Sequence, residues 1–453
     1  MPFVLGLGAL ALYVSAAAPT LSVRNGGDDG GDLAVAAASL GVAHPTGYPL
    51  YVVVGWTWLH VVQLGDVAYR LNLLSGVSAA LAMAATAWGC VELIRLLRPG
   101  TERLTAAAGA AAATGLLAAS EPLWGQAVVI SVYTLNLAFA AVGLGLIARG
   151  QRVGASAPGA ALLGLLLGIG LGNHLTLAFV GLAAIVAAIF ERWSWRVWLA
   201  AVGCAAIGLA LVYGYLLLGR VASRDPIGAW GDPSSWPGFV ALISGQMYHG
   251  LVGRPPIGQI VARLPRAAGL ALGVLTPVGL AAAIVAMVDP LKLAPERSLR
   301  GLLASLSLAG AALLFAITYG GARGEHHLLL LYLALTPLAA VGFTDLLGHA
   351  SIRWRPVLVV ALCCLVAGSG WWSRGAGAAG DSTARDAAVQ ELQAQPPNGR
   401  LAPQSDAETF GLWYAQEVLG VRPDVAVVHP GLWQASPTYR AKLLAKHPLL
   451  AAG

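Results

Sequence analysis

The sequence predicts an α-helical protein that crosses a membrane many times and carries a small α/β tail outside it. Three observations lead there. Of its 453 residues, 57% are hydrophobic and 11% charged, against roughly 25% charged in soluble domains. Mean hydropathy is +0.72. Apolar windows of about 17–25 residues, the length that spans a bilayer, recur along most of the chain.

The windows fall near 3–21, 71–97, 104–120, 126–148, 157–172, 174–190, 197–218, 267–288, 300–318, 327–347 and 356–372. Residues 50–64 read as a helix lying on the surface. The run is short, holds His60 and Gln63, and carries Trp56 and Trp58, which favour the headgroup zone. With that choice Arg95, Arg98, Arg103, Arg149, Arg152, Arg192, Arg196, Lys292, Arg297, Arg300, Arg353 and Arg355 fall on short loops of one side, as the positive-inside rule requires. The expectation is therefore about eleven spans, with the N-terminus cytoplasmic and the C-terminus outside. A signal peptide over residues 1–18 lacks a basic start, so the first span is read as retained. Residues 157–190 read as two short spans meeting at Gly172-Asn173-His174. One broken helix there would invert everything downstream.

Cys90, Cys204, Cys363 and Cys364 lie inside apolar runs without metal or disulfide spacing. The Ala/Gly/Leu bias suits membrane helices whose backbones approach closely. The chain divides near residue 372: a transmembrane domain over 1–372 with outward loops 22–70 and 220–266, then an outward region over 373–453. Within the latter, 386–396 and 407–419 read as helices and 424–429 as a buried strand.

Acids are scarce, yet Asp28, Asp29 and Asp32 sit together among glycines directly after the first span. A carboxylate at a dry membrane edge takes a raised pKa and can act as a general base. A divalent-cation site is a second reading, though acids without a nearby His make a poor transition-metal pattern. A third is a plain cap, with Asp32 starting a helix over 33–40. The turn from His44 to Pro49 is stiffened by two prolines and reversed at Gly47. His44 there can bond a phosphate or sugar, or satisfy loop carbonyls. Tyr133, Asn136, Asn173 and His174 are polar groups at membrane depth, which marks them as functional candidates; for Asn136 a helix-to-helix hydrogen bond is the better reading. Arg323 clusters with Glu325, His326 and His327, and its guanidinium matches a phosphate, as does that of Arg70 and, more weakly, Arg254.

The stretch Asp29-Gly-Gly-Asp32, a small-residue helix, and Gly41-Val-Ala-His44-Pro-Thr-Gly-Tyr-Pro-Leu50 resembles the opening signature of one GT-C glycosyltransferase family, that of the protein O-mannosyltransferase-like membrane proteins. The family pattern runs Asp-Ser-Gly-Glu, an Ala-rich helix, then Leu-Gly-x-x-His-Pro-Pro-Gly-Tyr-Pro-Leu, with the same interval from Asp to His. Gly65 to Ser75, Gln126 to Asn136, Gly170 to Thr176, Trp230 to Pro233 and Thr409 to Val425 extend the resemblance from about residue 5 to about 435. Four positions depart from it. Asp32 stands for Glu, Gly30 for Ser, Thr46 for Pro, and Ser131 for a Glu, which removes an acid from the outer cavity.

The resemblance implies a GT-C fold in a bacterial cell membrane. It also implies inverting transfer of a monosaccharide from a polyprenyl-phosphate donor to a protein, glycan or lipid hydroxyl on the outer face. Asp29 would be the base, and Asp32 a second catalytic acid or a cap. His44, Tyr48, Arg70, Tyr133, Asn173, His174, Trp230, Arg323 and His326 would bind substrate, with Trp236 beside them. Membrane lipids are further partners; nucleic acid is not expected, and no cofactor or metal is required. A lipid-linked sugar flippase is the alternative from another class, disfavoured because no internal repeat is seen. A catalytically inactive scaffold of the same family is the third reading.

Overall fold

The computed structural model describes all residues except 218–229, 232, 234, 254, 289–294, 322–323 and 453. From the N-terminus run α1 (Pro2–Ala16), α2 (Gly30–Ser39), α3 (Pro49–Val61), α4 (Val67–Leu97), α5 (Arg103–Ala118), α6 (Glu121–Ala127), α7 (Val132–Val153), α8 (Ala157–Leu171), α9 (Ala178–Phe190) and α10 (Trp195–Leu217). After these come α11 (Trp236–Ile243), α12 (Ile257–Val288), α13 (Pro295–Thr318), α14 (Leu329–His349) and α15 (Arg355–Ser373).

Among the described residues seven helices are long and apolar enough to cross a membrane: α4, α7, α10, α12, α13, α14 with its preceding turn, and α15. Three more, α1, α8 and α9, are apolar but shorter. Each expected window has a helix at its position, and the two largest shifts are of starts. The window near 126–148 opens at Val132 because the Ser131 hydroxyl accepts the Tyr133 N–H at 3.1 Å and caps α7 there. The window near 267–288 opens at Ile257 and runs through Pro265.

Helix directions follow from which small residues touch. Gly6 packs on Ala80 and Ala84, and Tyr13 on Gly76, so α1 and α4 are antiparallel. The chain between them therefore starts and ends at the same end of the bundle, and α3, only 13 residues long, does not cross. This is the surface helix that the basic residues demanded. A methyl at Gly164 would lie 2.0 Å from the Ala201 carbonyl oxygen, and one at Gly168 would lie 2.1 Å from that of Ala205. Gly172 likewise abuts Val212. These contacts advance together along both helices, so α8 and α10 run parallel at glycine-limited distance. The chain must reverse between them, which makes 157–190 two antiparallel helices joined at 172–177 rather than one broken helix.

At one end of the bundle Arg98 grips Asp345 with two bonds of 2.8 and 2.7 Å, and Arg152 reaches buried Glu92 at 2.7 Å. Arg95, Arg149, Arg192, Arg196, Arg353 and Arg355 belong to helix ends or turns of that side. The opposite end holds the loop of residues 17–66, the turn at 172–177 and the tail.

The tail contains α16 (Thr383–Gln393), α17 (Asp406–Glu417), α18 (Pro430–Ala435) and α19 (Pro437–Lys446). Two short parallel strands, β1 (Arg400–Leu401) and β2 (Ala426–Val427), pair Arg400 with Ala426 and Leu401 with Val427. Its apolar core of Leu392, Phe410, Trp413, Val425 and Leu443 also includes Val35 of α2 and Trp230. Ser22 bonds Asp381, and Arg24 and Asn25 donate to the carbonyls of Gly375 and Ala376. Tail and first loop are thus one packed unit.

Candidate active site

Where these pieces meet, a cavity of about 690 Å³ opens. Its floor is built by α2 and the turn after it. Asp32 lies in the first turn of α2, which starts at Gly30. The expected helix over 33–40 thus begins three residues earlier, and Asp32 is not its cap. Its carboxylate is 1% exposed and saturated. One oxygen accepts the His44 backbone N–H at 2.9 Å and His44 Nδ1 at 2.7 Å; the other accepts Trp230 Nε1 at 2.8 Å. A buried acid must be paired in this way to be tolerated. The shorter side chain, read from the sequence as a departure, reaches three donors.

That grip turns His44 so that Nε2 faces Asp29 Oδ2 at 3.9 Å. Burial works to lower the His44 pKa, but Asp29, the Asp32 hydrogen bond and Asp406 outweigh it and raise it to about 9. His44 is therefore an imidazolium at neutral pH. Asp29 precedes α2 with no bond capping the helix, and half of its side-chain surface opens to the cavity. Its place deep in the protein raises its pKa above the ordinary carboxylate value; His44 opposes the rise, while Asp32 and Asp28 add to it. Asp28, which falls outside the matched register, also lines the cavity.

A second wall is made of rings. His174 Nδ1 accepts the Thr176 N–H at 3.2 Å and faces its hydroxyl at 2.8 Å. A ring nitrogen that accepts a backbone N–H carries no proton, so the proton of His174 sits on Nε2. Tyr133 lies 5.2 Å from His174 and 5.3 Å from His326 between ring centres. Buried His327 packs at 5.6 Å from His174. Tyr48 lies 4.9 Å from His44. Leu175, Phe179, Phe315 and Val252 make this side of the cavity apolar.

The structure thus brings together Asp29, His44, Tyr48, Tyr133, His174, Trp230 and His326 on the cavity, with Asp32 directly behind it. It does not bring Arg70 or Asn173. The Arg70 guanidinium donates to the carbonyls of Leu59 and Gly65 at the end of α3, anchoring that helix. Asn173 is fully buried and donates to the Val132 carbonyl at 2.9 Å, tying the 172–177 turn to α7. Asn136, expected to bond helix to helix, donates instead from α7 to the Thr176 hydroxyl of the 172–177 turn at 3.0 Å. Trp236 is 69% exposed and does not line the cavity. Arg323 and Arg254 lie outside the described residues. Ser131 is 4% exposed and bonds Gln126 behind the wall, so its departure from Glu alters packing rather than the cavity surface. Among the described residues no three His, Cys, Asp or Glu side chains converge to hold a metal ion.

The tail supplies a third wall that sequence reasoning missed. Asp406 and Phe410 project from α17, and His429 from the start of α18. The Phe410 ring lies at 6.4 Å from the His44 ring and 6.4 Å from the His429 ring between centres, at interplanar angles of 12° and 28°. An acid in a first helical turn and a histidine after a strand look like ordinary structural residues, and no local spacing links them to Asp29.

Two family models match the chain. Residues 29–199 match the protein O-mannosyl-transferase TMEM260 N-terminal domain, and residues 384–437 match TMEM260-associated domain 2. The mouse protein O-mannosyl-transferase TMEM260 is 33% identical over 153 residues, 33% of this chain and 20% of that protein, so the match spans about one fifth of its length. In fold, ArnT from Cupriavidus metallidurans, solved bound to undecaprenyl phosphate, is similar with a TM-score of 0.63. Its identity is 13%, over 98% of this chain and 88% of that one. An oligosaccharyltransferase from Archaeoglobus fulgidus, solved with a tethered acceptor peptide, has a TM-score of 0.50 and 14% identity over 92% of this chain and 59% of its own. The chain is thus a multi-pass membrane protein with the GT-C fold, similar over residues 29–199 and 384–437 to the two domains of the protein O-mannosyl-transferase TMEM260.

Proposed function

We propose that the protein is a membrane glycosyltransferase. It moves a hexose, of the mannosyl type, from a polyprenyl-phosphate donor to an acceptor hydroxyl, with protein Ser or Thr the favoured acceptor, and it inverts the anomeric centre. The observation that carries this reading is the facing pair on the cavity floor: a partly open carboxylate, Asp29, 3.9 Å from an imidazolium, His44, that a buried acid holds in place. The undecaprenyl phosphate in the ArnT structure and the name of the TMEM260 family support the donor and the acceptor, respectively. The clustering of Arg98 and Arg152 at the opposite end supports an outer-face cavity under the positive-inside rule.

In this mechanism the acceptor oxygen attacks the anomeric carbon as its proton passes to Asp29. The bond from that carbon to the phosphate oxygen breaks, and its electron pair leaves with the polyprenyl phosphate. A base with a raised pKa is matched to a hydroxyl. The departing phosphate meets the His44 imidazolium and the Nε2–H of His174. Preorganised donors of this kind commonly supply the largest part of catalysis. The apolar side at Phe179 and Phe315 suits the isoprenoid chain. No metal is needed for any of these steps.

The test is transfer from a polyprenyl-phosphate hexose by the purified full chain. Asp29→Asn is expected to lower kcat by about 10²–10⁴-fold while the protein stays monodisperse. Wild-type turnover in that variant would remove Asp29 from the mechanism, and sugar crossing vesicles without a covalent product would replace the reading with a transporter.

A further inference from the structure

The tail wall holds a pair of side chains to which the transfer mechanism gives no task. His429 Nε2 and Asp406 Oδ1 lie 3.0 Å apart. The other ring nitrogen of His429 accepts the Leu432 N–H at 3.1 Å, capping α18. That nitrogen is therefore unprotonated, and the single proton on Nε2 is donated to Asp406. His429 is 12% exposed in its side chain, whereas Asp406 is 69% exposed and opens to the cavity. One histidine thus fixes the direction of one carboxylate on the cavity wall.

Electrostatics sets this acid apart from Asp29. The His429 hydrogen bond lowers the Asp406 pKa, and His44 adds to the effect, while burial raises that of Asp29. Two carboxylates on one cavity with opposite shifts divide their roles. Asp29 is the one suited to take a proton, and Asp406 the one that stays ionised and accepts hydrogen bonds.

The surroundings narrow what it meets. Asp28, Asp29 and Asp406 line the cavity together, and among the described residues no Lys or Arg does. Beside Asp406 a phosphorylated or acidic acceptor is disfavoured, because like charges brought together cost binding, while the His44 imidazolium is left to the donor phosphate. Sugar-stacking faces are also scarce on this wall. Phe410 is 2% exposed and Trp230 5%. What remains beside Asp406 is Gly431, Leu432 and Ala435, a small apolar surface around one carboxylate.

We propose that Asp406, oriented by His429, binds the acceptor, taking a hydrogen bond from a neutral or basic polypeptide segment and setting its hydroxyl beside Asp29. Asp406 is a binding residue, and His429 a positioning residue that acts through it. The inference rests on the transferase reading.

The test uses the full chain, a polyprenyl-phosphate hexose, and two synthetic peptides with the same central Thr, one flanked by Lys and one by Glu. The wild type should favour the Lys peptide by about 10-fold or more in kcat/KM. Asp406→Asn should raise the peptide KM and shrink that preference several-fold, leaving the donor KM unchanged. His429→Asp keeps an oxygen to cap α18 but has no N–H to give Asp406, and should shift the peptide KM in the same direction. Because it preserves the cap, it decides the matter if Asp406→Asn fails to fold. An unchanged charge preference in folded Asp406→Asn, or in folded His429→Asp an unchanged peptide KM, overturns the proposal while the transferase reading stands. Equal loss of donor and peptide affinity overturns it as well, marking a structural role. If the wild type turns over neither peptide, the protein-acceptor reading and this inference fall together.

Discussion

Gly31 of α2 lies against the backbone of Phe410 of α17 so closely that a methyl group there would stand 2.1 Å from the Phe410 carbonyl oxygen. The second glycine of the acidic motif is therefore the point where the tail docks on the floor of the cavity. Gly31→Ala should displace α17, cost about 1–3 kcal/mol or more, and lower transfer because Asp406 and Phe410 retreat. The neighbouring Gly30→Ala is the control. Its methyl would meet Leu21 at 3.3 Å and Ile130 at 3.4 Å, both side chains, so its effect on thermal unfolding should be the smaller of the two.

The Asp32–His44 pair predicts a pH profile. The proposed mechanism needs Asp29 ionised and His44 protonated, so kcat should fall on the alkaline side near pH 9 and on the acid side above the ordinary carboxylate range. Asp32→Asn removes a bond that raises the His44 pKa, and its alkaline limb should move to lower pH. Stability follows the same group. Its folded pKa lies above the ordinary 6.5, so its contribution is complete below about pH 6.5 and disappears as the pH rises through 9. A limb that stays in place in Asp32→Asn would break the link between the two residues.

Arg70 and His174 separate structure from binding. Arg70→Ala strips two carbonyl bonds from the end of α3 and should reduce stability by about 1–3 kcal/mol, with the donor KM within about three-fold of the wild type. His174→Ala removes an N–H from the cavity and should raise that KM by about 10-fold or more. Titrating initial rates against donor concentration checks both. A reversed pattern would return Arg70 to the phosphate.

Ser131→Glu, which restores the residue the related family carries, should not improve activity. The site is 4% exposed, and the hydroxyl there both caps α7 and bonds Gln126. Inserting an acid loses the cap and buries a charge, a destabilisation of at least about 2 kcal/mol. Unfolding midpoints of the two proteins make the comparison.

The membrane part was legible because its signals are local. Apolar length located the helices, and the side on which Arg95 and Arg98 fall decided that α3 lies flat. Asp29 and His44 were legible because they sit in one short motif. Arg70 was misjudged because a guanidinium near a membrane edge looks the same whether it meets phosphate or two carbonyls. Asp406 and His429 could not be read at all. Their place depends on Gly31 admitting α17, a contact between segments at opposite ends of the sequence.

That contact also sets an order in time. Asp29 and His44 leave the ribosome more than 350 residues before the wall carrying Asp406, Phe410 and His429. Until it arrives the floor has no opposing face, and His44 lacks the ring that stacks on it. A nascent or truncated chain would sit in the bilayer with its helices inserted and its reaction chamber still open to water. The docking of α17 onto Gly31 therefore closes the cavity only once both segments have been made, whatever the order in which the helices between them insert.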